Sequence, residues 1–111
     1  MIEKTILDWL NAVLDVPAYM ERPESPPGSF VVLQKTGSGV TDKVKSATFA
    51  VQSCAPSLYE AASLNEIVKD AMDGLVEINS ITRSRLNSDY EYNDIEKKQY
   101  RYQAVYDITY Y

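Results

Sequence analysis

Apolar residues return every three or four positions at the start of the chain. Ile2, Ile6, Trp9, Leu10 and Val13 share one side of a helix predicted over residues 2–14, and Leu7 and Leu14 widen the stripe. Glu3, Lys4, Asp8 and Asn11 fill the other side. Pro17 ends the helix, because the residue before a proline is pushed out of helical geometry. Residues 17–20 suit a short edge strand, where a proline's missing N–H is harmless. Residues 21–29 carry Pro23, Pro26, Pro27 and Gly28 and predict a stiff exposed loop, long enough to touch a partner.

Residues 30–36 are β-branched and apolar and read as a strand whose start is buried on both faces. Gly37-Ser38-Gly39 with Thr41-Asp42 predicts a flexible hairpin connection. The return strand runs over 43–53, where Ala47, Phe49 and Val51 alternate with Thr48, Ala50 and Gln52. Ser57 and Glu60 have the spacing of a capping box and open a second helix. Its apolar face includes Ala61, Leu64, Ile67, Val68, Met72 and Val76, and Gly74 marks its end. Residues 81–92 and 99–110 read as a long hairpin. In its first strand Leu86, Tyr90 and Tyr92 share a face, opposite Arg83, Arg85, Asp89 and Glu91. Matching the faces leaves two registers open. One opposes Glu91 with Arg101, Arg85 with Asp107 and Tyr90 with Tyr102; the other opposes Asp89 with Arg101 and Arg83 with Asp107.

This order predicts an α+β fold: an antiparallel sheet of four to five strands with two helices packed on one face. With 111 residues and no repeat, low-complexity tract or linker, the chain reads as one domain over 1–111. A composition 45% apolar and 24% charged argues against wholesale disorder. Eleven basic against sixteen acidic residues give a net charge of −5, which argues against sequence-specific nucleic-acid binding. The single cysteine, Cys54, excludes a disulfide-stapled scaffold. No apolar run approaches the roughly 20 residues of a membrane span. The opening residues lack a signal-peptide layout, so a soluble protein of a reducing cytoplasm is expected.

The chain has no histidine, so neither a histidine-based triad nor a histidine metal ligand is available. Cys54 lacks a basic neighbour in sequence and reads as a buried structural thiol. Asn87, Asp89, Glu91 and Asn93 echo a calcium loop but lack its glycine and terminal glutamate. Lys97 and Lys98 fall in a predicted loop, where a desolvated Schiff-base lysine is not expected. No catalytic residue, cofactor or metal is expected, and the protein is read as a non-enzyme.

Seven of the nine tyrosines lie between Tyr90 and Tyr111. Tyrosine suits a half-buried pleat, and it also suits a wet interface. Tyr100, Tyr102, Tyr106 and Tyr110 form one row and, with Tyr111, are candidate subunit contacts. Pro26 and Pro27 of the loop and Ser38 of the glycine segment are candidates for a second patch. Residues 21–29 and 36–42 are expected to order on assembly.

Four segments carry a resemblance: residues 30–37 (FVVLQKTG), 46–53 (SATFAVQS), 57–62 (SLYEAA) and 100–108 (YRYQAVYDI). They resemble small tail or neck proteins of prophages and long-tailed bacteriophages, the minor tail or minor capsid components similar to the tail terminator and tail-to-head joining group. The resemblance implies an antiparallel sheet flanked by helices and a hexameric ring that caps the tail tube and faces the head connector. The implied partners are other copies of the chain, the tail tube and the connector, with no membrane. The implied location is the virion, reached from the host cytoplasm. A ring repeats one contact between two unlike patches until it closes. The acidic balance suits a lumen that DNA must cross without being captured, and equally suits plain solubility. The alternative from another class is a small non-enzymatic adaptor or inhibitor of a phage or host protein.

Overall fold

The computed structural model describes residues 1–94 and 99–111. Lys97 and Lys98, placed in a loop above, lie outside the described residues. The elements run α1 (Ile2–Val13), β1 (Ala18–Tyr19), β2 (Phe30–Thr41), β3 (Val44–Ala55), α2 (Leu58–Asp73), a short 3-10 turn (Gly74–Glu77), β4 (Ile81–Glu91) and β5 (Tyr100–Tyr110). The five strands form an open sheet in the order β1-β2-β3-β5-β4. All neighbours are antiparallel except β1 and β2. The fold is α+β, as the pattern predicts.

Both helices cover one face of this sheet. Ile6 and Leu10 of α1 and Leu64, Val68 and Met72 of α2 close over Leu33, Phe49, Val51, Ala104 and Ile108 in a single core. The Trp9 indole joins the helices by donating to the Ala71 carbonyl at 2.8 Å. Gly74 lets it approach, since a Cβ there would lie 3.2 Å from the Trp9 ring. The capping box forms: the Glu60 amide donates to Ser57 Oγ at 3.2 Å, and that hydroxyl donates to Glu60 Oε2 at 3.0 Å. Asn11 does more than face solvent. Its amide donates to the Ala18 carbonyl and accepts from the Ala18 amide, which fixes β1 and the start of the proline loop.

Three expectations need correction. The hairpin between β2 and β3 does not turn at the glycines. β2 continues through Gly37 and Gly39 to Thr41, with a bulge between Lys35 and Gly37, so Ser38 is an exposed strand residue. The turn is Asp42-Lys43, both at positive φ (51° and 68°). A two-residue turn of this kind matches the twist of the flanking strands.

The register of β4 on β5 is neither of the two expected throughout. Arg85 opposes Asp107, as in the first register, but a bulge between Leu86 and Ser88 then shifts the pairing by one residue. Tyr90 therefore opposes Gln103 and Glu91 opposes Tyr102. One extra residue exchanges the faces of everything beyond it. Leu86, Asp89 and Glu91 lie on the helix side, and Tyr90 and Tyr92 on the uncovered side.

Finally, the tyrosine row of β5 is the row beneath the helices. Tyr106 is fully buried in the core and presents no surface to a neighbour. Its hydroxyl lies 2.9 Å from Asp73 Oδ1 and 3.1 Å from the Lys69 carbonyl. Burial first, and then the Asp73 carboxylate, push its pKa well above the ordinary tyrosine value.

No helix among the described residues is long and apolar enough to cross a membrane.

Candidate functional site

Helices cover one face of the sheet and leave the other to side chains alone. Its centre is a polar chain: Gln52 Nε2 donates to Gln103 Oε1 at 3.0 Å, and Gln103 Nε2 donates to Tyr90 OH at 2.6 Å. Both glutamines are nearly inaccessible, so pairing them removes the desolvation cost of two amides. Further along, Thr48 and Asn87 donate to the two oxygens of Asp107 at 2.8 and 3.1 Å.

Two adjoining hollows open at the end of this face where the proline loop crosses the strands. The first, about 280 Å³, lies between Arg22, Gln34, Gln52, Tyr92 and Arg101, with Phe30 and Val32 as its floor. The second, about 240 Å³, is bounded by Pro26, Pro27, Pro56 and Tyr100 and shares Arg22, Phe30 and Cys54 with the first. Each arginine is held by an aromatic ring. The Arg22 guanidinium lies 5.7 Å from the Phe30 centroid, and that of Arg101 lies 4.6 Å from the Tyr92 centroid. Arg101 Nε also donates to the Tyr92 carbonyl, and the Arg101 amide donates to Asn93 Oδ1 at 3.1 Å. The bulge in β4 brings Tyr92 to this face, and alternation along β5 brings Arg101 there.

Among the described residues neither guanidinium has a carboxylate within ion-pair distance, and the ion pairs there involve Lys4, Lys35 and Lys69 alone. The hollow therefore offers fixed, forked N–H donors suited to a carboxylate or phosphate. Cys54, 5% exposed, lies against them. Burial pushes its thiol pKa up, while Arg101 and Arg22 pull it down by a smaller amount. The thiol stays protonated near neutral pH and is a weak nucleophile. The expectation that Cys54 has no basic neighbour holds along the chain but not in space. Among the described residues no three His, Cys, Asp or Glu side chains are grouped as a metal site requires.

The candidate contact residues divide between the two ends of β5. Pro26, Pro27 and Tyr100 come together in the second hollow. Tyr102 is half-buried nearby, its hydroxyl donating to Glu91 Oε1 at 3.3 Å. At the far end Tyr110 pairs with Lys45 and Ile81 and packs half-buried against the core. Tyr111 is 71% exposed there, and Ser38 lies exposed on β2 opposite Ala47. The ten steps from Tyr100 to Tyr110, at about 3.4 Å each, separate the two groups by roughly 34 Å, and the molecule is 44 Å in its longest dimension. Sequence reasoning missed Arg22, Arg101, Tyr90 and Tyr92. Arg101 shares the alternation of Gln103 and was findable from it; Tyr92 was hidden by the bulge.

No protein-family model matches the chain, and no curated protein matches it.

Proposed function

We propose that this chain is a structural protein of the tail–head junction of a long-tailed bacteriophage, a tail terminator or tail-to-head joining component that closes into a hexameric ring. The observation that carries this reading is the division of the candidate contacts into two unlike groups at opposite ends of β5. A two-fold dimer needs one self-complementary patch, whereas a ring needs two different ones. The resembling segments supply further support. They form the start of β2, the middle of β3, the first turn of α2 and most of β5, which together make the centre of the fold.

The edges of the sheet, β4 on one side and β2 beyond its two-residue pairing with β1 on the other, favour side-chain contacts over strand addition. β4 carries two bulges together with Arg83 and Arg85, and β2 carries a bulge beside Lys35. Such features blunt a sheet edge as a template for another chain. The net charge of −5 suits a collar that DNA passes without phosphate capture. On this reading the partners are other copies of the chain, the tail tube and the head connector. The protein acts in the virion, without catalysis or cofactor, after assembly in the host cytoplasm.

Deleting the gene from the phage or prophage genome that carries it tests the reading. Electron microscopy of the released particles is expected to show filled heads separate from tails of uneven length. Intact virions from the deletion would contradict it. A stable monomer that captures one phage or host protein is the behaviour of the alternative, an adaptor or inhibitor.

A further inference from the structure

The outward face of α2 has the character that the arginine hollows lack. Tyr59 and Ile67 are 82% and 55% exposed, large apolar side chains left in water. Around them stand Glu60, Glu66 and Asp70, all exposed. The helix carries four acids, with Asp73, against the single base Lys69. Lys69 is already committed: its ammonium lies 3.0 Å from both Glu66 and Asp89. Among the described residues Asp70 meets no cation. Like charges at i and i+4, as Glu66 and Asp70 are, destabilise an isolated helix. Lys69 offsets Glu66 and leaves Asp70 uncompensated among the described residues, and this acidic, partly apolar face suits a basic, partly apolar acceptor.

That acceptor is present on the other layer of the same molecule. Among the described residues the guanidiniums of Arg22 and Arg101 meet no carboxylate, and Pro26, Pro27 and Tyr100 line the hollow beside them. We propose that the hollows around Arg22 and Arg101 receive the acidic outer face of α2 from a second copy of the chain. The inference rests on the ring reading above, keeps its contact group at the Tyr100 end and replaces the group at the Tyr110 end with the outer face of α2. Glu66 and Asp70 reach the two arginines, while Tyr59, about two turns nearer the start of α2, enters the proline-lined hollow. The donor surface lies on the helix layer and the acceptor on the uncovered sheet face, so the contact is head-to-tail and repeats from copy to copy. Exposed charge pairs of this kind steer association and weaken with salt.

Sedimentation velocity of the full chain over a range of concentrations, at low and high salt, tests the assignment with two charge-reversed variants. Arg22→Glu with Arg101→Glu, and Glu66→Lys with Asp70→Lys, are each expected to be folded by circular dichroism and monomeric where the wild type assembles. Mixed in equal amounts they are expected to assemble, because each reversed surface then meets its complement and the two unreversed surfaces also match. Arg101 also anchors the Tyr92 carbonyl, so Arg22→Glu alone serves if the double variant does not fold. It is expected to weaken assembly about tenfold or more. Wild-type-like assembly by the variants would overturn these surfaces while leaving the ring reading intact. Failure of the mixture to assemble would do the same. A wild type that stays monomeric at every concentration would overturn both.

Discussion

Tyr100 and Tyr106 share a face of one strand and do different work. Tyr106 lies under α2 with its hydroxyl between Asp73 and Lys69, whereas Tyr100 borders an open hollow. Tyr106→Phe is expected to cost about 1 kcal/mol of stability, the usual value of a lost hydrogen bond, without affecting assembly. Tyr100→Ala is expected to leave the unfolding free energy in urea within about 0.5 kcal/mol of wild type and to weaken assembly. Tyr106 also sets a pH dependence. Its folded pKa is raised, so its contribution is complete below the ordinary tyrosine value of about 10 and is lost as pH rises above it. Lys69, raised by hydrogen bonds to Asp89 and Glu66, runs in the same direction. Urea midpoints are expected to fall above about pH 10, and Tyr106→Phe to flatten that fall. At the hairpin, Lys43 holds φ 68° without glycine's freedom. Lys43→Gly is expected to gain up to about 1 kcal/mol by thermal unfolding. The periodicity of β5 showed which residues share a face with Tyr106, but not that the face lies under the helices.

At the scale of elements, burial made most of the fold legible. The 3.6-residue recurrence of Ile2, Ile6 and Leu10, and of Ala61, Leu64, Val68 and Met72, marks the sides of α1 and α2 that meet the sheet. The Ser57–Glu60 spacing marked where α2 begins. Ser57→Ala is expected to lower stability by about 1 kcal/mol, or roughly 4–8 °C in Tm. Bulges left no such mark. An extra residue in a mostly polar strand changes no apolar count, so Asn87 looked like any other position of β4. Yet it places Asp89 beside Asn65 and Lys69, at 2.9 and 3.0 Å, and turns Tyr92 toward Arg101. Deleting Asn87 would close the bulge and leave Asp89 and Glu91 opposite Ala104 and Tyr102, on the helix side. A change within about 1 kcal/mol in urea unfolding is expected. The hairpin turn was misplaced for a related reason: glycines suggested a turn, but Gly37 and Gly39 sit in extended backbone and Asp42-Lys43 makes the turn.

At the scale of the molecule, the candidate site was legible only in part. The proline loop was recognisable as exposed, and Pro26 and Pro27 do line a hollow. The arginines that give that hollow its charge come from a loop before β2 and the start of β5, and only the register of the whole sheet brings them together. A net charge of −5 concealed a local basic end on the uncovered sheet face and a local acidic face on the helix layer. The separation of these surfaces onto opposite layers is what makes a head-to-tail collar available to so small a chain. Electron microscopy of the purified wild-type chain tests that most directly. Class averages are expected to show closed rings of six identical subunits around a central hole. Isolated monomers, or compact dimers with two-fold symmetry, at every concentration would contradict it.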